Sequence, residues 1–164
     1  REYSNKTIAG YIAILALTGL RCSEVTHIKV KDVDVKKRII LIPETKNGRP
    51  RTVHLTDLML RFIGRIPLKS DNPYLFASRA KGKPLKSARK TFNKLLARAQ
   101  INPDGVCLHT LRHSVASNLV SEGVSLRLVQ EQLAHKSIIS TQRYAKLTTE
   151  SMRETSETLS NLFS

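Results

Sequence analysis

The sequence predicts an α+β fold that is mainly helical and contains a small three-stranded antiparallel sheet. Apolar side chains recur at helical spacing over most of the chain, whereas one short central stretch alternates as β-strands do. No internal repeat interrupts these patterns, and 164 residues are enough to bury one sizeable core. We therefore expect residues 1–164 to form one domain.

The chain is predicted to open with two helices separated by a glycine. Residues 6–18 carry apolar side chains at the spacing of an amphipathic helix. Gly19 then stands where a C-cap glycine is common, and a second helix is predicted from Cys22 onward.

A β-hairpin is predicted in the middle of the chain. Residues 38–42 are rich in β-branched side chains, Asn47 and Gly48 supply a turn, and residues 51–55 alternate. Residues 74–76 are the candidate for a third strand.

Helices are predicted for most of the remaining chain. Thr56 or Asp57 caps the first of them, and Pro67 stops it near Ile66. The others are predicted at residues 87–100, 110–121, 126–134 and, after a cap at Thr148 or Thr149, near the carboxyl end.

The charge of the chain favours a nucleic-acid partner. Lys and Arg number 28 against 13 Asp and Glu, which gives a formal charge of +15 and a pI near 10.3. Such a balance is typical of phosphate-backbone binders, although anionic lipid and ribosomal RNA remain alternatives. Eight cations and no acid lie between residues 79 and 98. Within this run the candidate DNA-backbone contacts are Arg89, Lys90, Lys94 and Arg98.

The sequence predicts no membrane span, because no apolar run approaches the roughly 18 residues that one requires. The polar first residues do not resemble a signal peptide. Cys22 and Cys107 lack the spacing of a disulfide framework and indicate a reducing compartment. We expect a cytoplasmic protein that associates with the nucleoid.

The usual catalytic motifs are absent from the sequence, which contains no Walker-type loop, no dinucleotide-binding glycines and no CxxC. Cys107, His109 and His113 are close enough in sequence to suggest a metal site. However, the fixed charge of Arg112 lies among them, and no acidic ligand is adjacent. We therefore predict neither a metal nor another cofactor.

Four short segments contain the remaining candidates for chemistry: residues 18–24 (TGLRCSE), 109–113 (HTLRH), 133–135 (LAH) and 141–144 (TQRY). Taken singly, each has an ordinary structural interpretation. The arginine of the first could be a solvated turn residue paired with Glu24, the second could be a polar helix start, and the tyrosine could be a packing residue. Their order along the chain is more informative than any one of them.

In this order the segments resemble the boxes of the tyrosine recombinases, also called the phage integrase family. The first two resemble the family's two arginine boxes, and His135 and Tyr144 resemble its third histidine and its nucleophile. Lys46, in the predicted hairpin, resembles the family's β-hairpin lysine. Ala134 stands where the family usually has glycine, and alanine disfavours the left-handed conformation, so we expect the turn before His135 to differ slightly.

The resemblance implies how DNA would be cut. Arginines would bind the nonbridging phosphate oxygens, histidines would donate hydrogen bonds and move protons, the lysine would protonate the leaving 5′ oxygen, and the tyrosine would attack. The catalytic residues implied are Arg21, Lys46, His109, Arg112, His135 and Tyr144. Glu24 is expected to orient an arginine, and His113 is expected to be structural.

The function implied is that of a site-specific DNA recombinase, or integrase, which forms a 3′-phosphotyrosyl intermediate. Alternatives are relaxation of DNA like that of a type IB topoisomerase, and a basic DNA-binding regulator that does not cut. The expected partner is double-stranded DNA carrying recombination sites, bound by a homotetramer that is monomeric when free. We expect the family's N-terminal DNA-clamping domain to be missing, and the segment after about Thr148 to pack on a neighbouring protomer.

Overall fold

The computed structural model describes residues 2–43 and 50–134, and for residues 2–5 it describes the backbone only. Within these ranges the chain forms helices, three short strands and a 3-10 turn. The helices are α1 (Glu2–Thr18), α2 (Cys22–Thr26), α3 (Asp57–Ile63), α4 (Arg89–Arg98), α5 (Leu108–Ser121) and α6 (Leu126–Leu133). The strands are β1 (Val33–Asp34), β2 (Ile39–Ile42) and β3 (Arg51–His54), and the 3-10 turn is Val30–Asp32.

The strands form one antiparallel sheet in the order β1-β2-β3, which confirms the predicted fold class. Ile42 pairs with Arg51 at one end of the hairpin, and Ile39 pairs with His54 at the other. The predicted third strand was wrong, because Val33–Asp34 occupies that place and residues 74–76 do not. Val33–Asp34 is only a short turn away from β2, whereas Tyr74 makes a single bridge to Lys29.

Two predicted helices are shorter than their apolar patterns suggested. The third helix ends at Ile63 rather than near Ile66, and Gly64 caps it. The fourth begins at Arg89 rather than Ser87, whose hydroxyl accepts a hydrogen bond from the Arg89 amide. The predicted caps Thr56 and Ser125 are confirmed, since each hydroxyl accepts from a backbone amide of the first turn. The helix predicted after Thr148 lies outside the described residues.

The buried apolar side chains form two clusters of unequal size. The larger one joins α1, α2, the sheet and α3, and the rings of Tyr11 and Phe76 meet edge to face within it. The smaller one lies between α5 and α6 and centres on Ala116, Val120, Val129 and Leu133. Because α5 packs against α1, the smaller cluster is attached to the body close to the carboxyl end of α1.

In the parts of the chain that the structure describes, none of the helices combines the length and the apolar character that crossing a bilayer requires.

Candidate active site

The site begins at a tight turn between α1 and α2. The buried Thr18 hydroxyl donates to the carbonyl of Ile14 and accepts from the amide of Leu20, which closes the last turn of α1. Gly19 has a φ of +65°, and a Cβ atom there would stand 2.6 Å from a methyl of Leu133. Glycine is therefore required both by the left-handed turn and by the close approach of α6.

Arg21 follows this turn and immediately precedes α2, where its backbone amide and its guanidinium both bind Glu24. The amide donates to Oε2 over 2.8 Å, and Nη1 donates to Oε1 over 3.1 Å. The Glu24 side chain is only 4% exposed, whereas that of Arg21 is 22% exposed. A carboxylate buried to this degree needs cationic partners, and it fixes the arginine at the edge of the interior.

Arg51, the first residue of β3, is a second cationic partner of Glu24. Its Nη2 donates to Glu24 Oε2 over 2.8 Å, and its Nη1 donates to the carbonyl of Gln132 over 2.8 Å. The Glu24 carboxylate thus lies between two guanidinium groups. Arg51 was not among the residues predicted for the site. The available signal was its register, since it lies two residues before the buried Val53 on a strand that alternates.

Arg112 lies in the middle of α5 and is 4% exposed. Its Nη1 donates to the carbonyl of Gly19 over 2.7 Å, and its Nη2 donates to the carbonyl of Leu133 over 2.5 Å. The guanidinium therefore bridges the turn after α1 and the end of α6. Bonds at both ends of a planar group restrict its orientation, so its position is set before any ligand arrives.

Three arginines converge on the carboxyl end of α6. Gln132, Leu133 and Ala134 each have a carbonyl that accepts from a different guanidinium, those of Arg51, Arg112 and Arg21 respectively. The final carbonyls of a helix lack partners within the helix and carry the negative end of its dipole. This end of α6 is therefore a natural acceptor for cations.

Ala134 has φ 48° and ψ 51°, which is the left-handed conformation that alanine disfavours. The small change of this turn expected from alanine in place of glycine stays a prediction. Ala134 adopts the left-handed conformation despite its Cβ atom. The Ala134 carbonyl accepts a 3.0 Å hydrogen bond from Arg21, and the arginines on the two preceding carbonyls hold the same turn.

His109 and His113 lie one turn apart on α5, with ring centroids 4.9 Å apart and edge to face. His109 is exposed, and it stands one turn before Arg112 on the same helix. His113 is partly buried. The structure thus brings Arg21, Arg112 and Glu24 together, with His109 on the helix that carries Arg112.

The start of α5 also carries Cys107, whose thiol is exposed. A hydrogen bond from the Thr110 hydroxyl lowers the pKa of Cys107, as do the backbone amides of Thr110 and His109 and the charge of Arg89. Residues 2–43 and 50–134 contain no cluster of three or more metal-ligating side chains.

The predicted DNA contacts on α4 differ from the arginine cluster in their exposure. Arg89, Lys90, Lys94 and Arg98 are all exposed, while Phe92 and Leu96 on the same helix are buried. Lys46, His135 and Tyr144 lie outside the described residues, so their predicted roles stay predictions.

Solved structures define the class of this fold. The crystal structure of XerA recombinase has a TM-score of 0.73 and 28% identity, over 93% of this chain and 56% of that one. The catalytic domain of bacteriophage HP1 integrase has a TM-score of 0.61 and 22% identity, over 96% of this chain and 91% of that domain. The fold is that of a tyrosine recombinase catalytic domain.

The family model described as the phage integrase family matches residues 2–151, and the chain belongs to this family. The tyrosine recombinase XerA of Pyrococcus horikoshii is 33% identical over 149 residues, which cover 89% of this chain and 52% of that protein. The tyrosine recombinase XerD of Brucella suis is 33% identical over 151 residues, which cover 85% of this chain and 48% of that protein. The chain thus spans about half the length of these relatives.

Proposed function

We propose that this chain is the catalytic domain of a site-specific DNA recombinase, which cuts and rejoins DNA through a 3′-phosphotyrosyl bond to Tyr144. The observation that carries the proposal is the pair of arginines, Arg21 and Arg112, which are held rigidly beside the end of α6. A solved relative, XerH, has been captured with its difH substrate in a pre-cleavage complex, and it matches this chain with a TM-score of 0.73 and 28% identity.

The arginine pair suits the charge that develops during phosphoryl transfer. Attack on a phosphodiester passes through a pentavalent phosphorus, whose nonbridging oxygens gain negative charge. Guanidinium groups bind two oxygens at once through parallel N–H donors, and they keep their charge at every accessible pH. We propose that Arg21 and Arg112 bind these oxygens, and that no metal ion is needed for the step.

The remaining roles complete the transfer. The Tyr144 oxygen attacks phosphorus and gives up its proton with help from His109 and His135, while the bond to the 5′ oxygen breaks. Lys46 gives the departing 5′ oxygen its proton. Rejoining is the reverse attack by a 5′ hydroxyl, which restores the phenol. Glu24 orients Arg21 through their 3.1 Å ion pair, and His113 supports α5.

DNA binding is assigned to the exposed face of α4. Arg89, Lys90, Lys94 and Arg98 stand in solvent, where they can follow a phosphate backbone. The substrate is double-stranded DNA that carries recombination sites, and the enzyme works on the cytoplasmic nucleoid.

Covalent capture tests the proposal. The chain is incubated with a randomised pool of short duplexes that are nicked at staggered positions, so that the cut 5′ fragment diffuses away. Protein–DNA adducts are recovered from a denaturing gel, and the captured duplex becomes the substrate for all later measurements. Adduct should form in EDTA, and Tyr144→Phe should give none while it still binds. Equal adduct from Tyr144→Phe, or activity that requires added Mg²⁺, would contradict the proposal.

The role of Lys46 has its own test. A 5′-bridging sulfur makes a leaving group that departs without a proton, so Lys46→Ala should be slow on the normal duplex and close to the unchanged chain on the sulfur duplex. If sulfur restores nothing, Lys46 is not the acid.

Recombination is proposed to take place in a homotetramer on paired sites, formed from protein that is monomeric when free. The apolar residues Met152, Leu159, Leu162 and Phe163 need a surface, because an isolated short helix is marginal in water. Deletion from Thr149 onward should abolish cooperative assembly on full sites. Assembly and cleavage that persist after the deletion would show that the tail is a local cap.

A further inference from the structure

Arg51 occupies a position where an apolar side chain would be expected. It lies on the same face of β3 as the buried Val53, and its side chain is 15% exposed. Among the described residues, its Nε is buried and finds no hydrogen-bond acceptor. Burial lowers the pKa of Arg51, an effect that the carboxylate of Glu24 opposes. A buried cation with an unsatisfied donor is a weak source of stability.

The contacts of Arg51 connect it to Arg21 through two routes. Its Nη2 binds Glu24 Oε2, and the other oxygen of that carboxylate binds the guanidinium of Arg21. Its Nη1 binds the carbonyl of Gln132, two residues before the Ala134 carbonyl that also binds Arg21. Arg51 therefore binds one of the two guanidinium partners of Arg21 directly, and it binds a carbonyl two residues before the other.

The Glu24 carboxylate, which Arg21 and Arg51 share, also determines how much positive charge the group presents to a bound phosphate. With Arg51 present, one oxygen of Glu24 is engaged by a second cation, and the three side chains together carry one net positive charge. Without Arg51, Oε2 of Glu24 would keep the Arg21 backbone amide but lose its guanidinium partner. The Arg21–Glu24 pair would then be neutral, and the Arg21 guanidinium would be drawn toward the carboxylate and away from Ala134.

We propose that Arg51 is a positioning residue of the strand-cleavage site, which holds Glu24 and the end of α6 so that the Arg21 guanidinium is oriented and charged for phosphate. This inference rests on the proposed recombinase function. Arg51 itself does not touch the scissile phosphate in this proposal, and it acts through Glu24 and Gln132.

The decisive variant is Arg51→Met, which fills similar space and leaves Glu24 paired with Arg21. At saturating protein, adduct formation on the captured duplex should slow by about 10- to 100-fold, as expected when a transition-state contact shifts by about 1 Å. The dissociation constant for that duplex should change by less than about 3-fold, because α4 is untouched. Arg51→Lys, which keeps the charge but can reach only one acceptor, should be intermediate. Arg38→Met is the matched control, because it removes an arginine–carboxylate pair with Asp57 at the opposite end of the same hairpin, and it should leave both quantities unchanged.

Coupling to Glu24 separates positioning from simple loss of charge. Because Arg51 acts partly through Glu24 and partly through Gln132, Arg51→Met combined with Glu24→Gln should slow cleavage by less than the product of the two single effects. If the two effects multiply instead, the inference is overturned.

A measurement that does not depend on activity covers the case in which variants are unstable or no duplex is captured. In the Arg51→Met chain, hydrogen exchange of the Arg21 Nε–H and of the Ala134 amide should accelerate, whereas Arg38→Met should leave both rates unchanged. Unchanged exchange in Arg51→Met would contradict the role of Arg51. Failure of the unmodified chain to form any adduct would contradict the recombinase function and leave the exchange result to decide whether Arg51 holds Arg21.

Discussion

Two groups of cations in this molecule differ in almost every physical respect. Arg21, Arg51 and Arg112 are buried or partly buried. Their guanidinium groups donate to carbonyl oxygens at the end of α6 and, in addition, to the Glu24 carboxylate or the Gly19 carbonyl. The cations of α4 are exposed. The first group has fixed geometry, and the second has long side chains in water.

This difference in burial determines which function each group of cations can have. A rigid guanidinium in a partly desolvated site loses little entropy when it binds an oxyanion, and its interaction is barely screened by salt. A solvated lysine or arginine contributes affinity by releasing counterions, and that contribution depends steeply on salt. The buried group is therefore suited to chemistry and the exposed group to holding DNA of any sequence.

The largest effect should come from Arg112→Ala. Loss of one transition-state donor should slow cleavage by about 10²- to 10³-fold. The variant should also lose about 2–4 kcal/mol of unfolding free energy in urea, because the carbonyls of Gly19 and Leu133 would be left buried without a donor. Arg98→Ala, an exposed arginine, should change stability by less than about 0.5 kcal/mol. Equal losses of stability in Arg112→Ala and Arg98→Ala would contradict the distinction between buried and exposed cations.

Charge reversal at Lys90, Lys94 and Arg98 should produce the next largest effect, on binding alone. Affinity should fall for all duplexes, and the slope of log affinity against log salt should flatten by about 0.9 for each phosphate that is no longer neutralised. The control reverses the charge of three lysines outside α4, namely Lys31, Lys36 and Lys37, and it changes the net charge by the same amount. If the control flattens the slope just as much, net charge rather than α4 accounts for binding.

A smaller effect is expected at the turn on which the buried group converges. Ala134→Gly should raise the unfolding free energy by about 0.5–1 kcal/mol, because glycine relieves the left-handed strain and this gain exceeds its greater entropy when unfolded. Glu122→Gly, at a helix end with φ of −79°, is the control and should not stabilise. A loss of stability in Ala134→Gly would mean that the conformation at φ 48° carries no strain.

A last effect concerns pH, and it tests how much of the alkaline loss of stability comes from the buried Tyr11 phenol. Burial raises the pKa of Tyr11 to about 12. In the unfolded chain Tyr11 loses this proton near pH 10. Its contribution to the free energy of unfolding is therefore complete below about pH 10 and is lost as pH rises toward 12. When urea unfolding is measured between pH 9 and about 11.5, the unfolding free energy of Tyr11→Phe should decline less with pH than that of the unchanged chain. An identical decline in both chains would assign the alkaline loss to other groups.

The sequence predicts local features of this molecule better than it predicts contacts between distant segments. The C-cap at Gly19 and the caps at Thr56 and Ser125 were predictable, because each depends on neighbouring residues. The third strand was not, since the choice between Val33–Asp34 and residues 74–76 depends on which segment lies next to β2 in space.

The residues of the candidate site likewise divide into those predictable from local motifs and those that depend on distant contacts. Arg21, Glu24, His109 and Arg112 were predicted from the order of their short motifs, and the pairing of Arg21 with Glu24 requires only a three-residue spacing. Arg51 could not be predicted from spacing, since its partners Glu24 and Gln132 are distant in the chain. The convergence of three guanidinium groups on consecutive carbonyls is a property of tertiary structure alone.

The long-range hydrogen bonds of the three arginines also have a consequence for biosynthesis. They join residues 113, 93 and 81 positions apart, namely Arg21 with Ala134, Gly19 with Arg112, and Arg51 with Gln132. The ribosome therefore releases Arg21 and Arg51 long before α6, the helix whose carbonyls bind them. Contacts of such long sequence separation form late in folding. A chain interrupted before α6 would carry the positive charge that attracts DNA but lack the arginine geometry for cutting it.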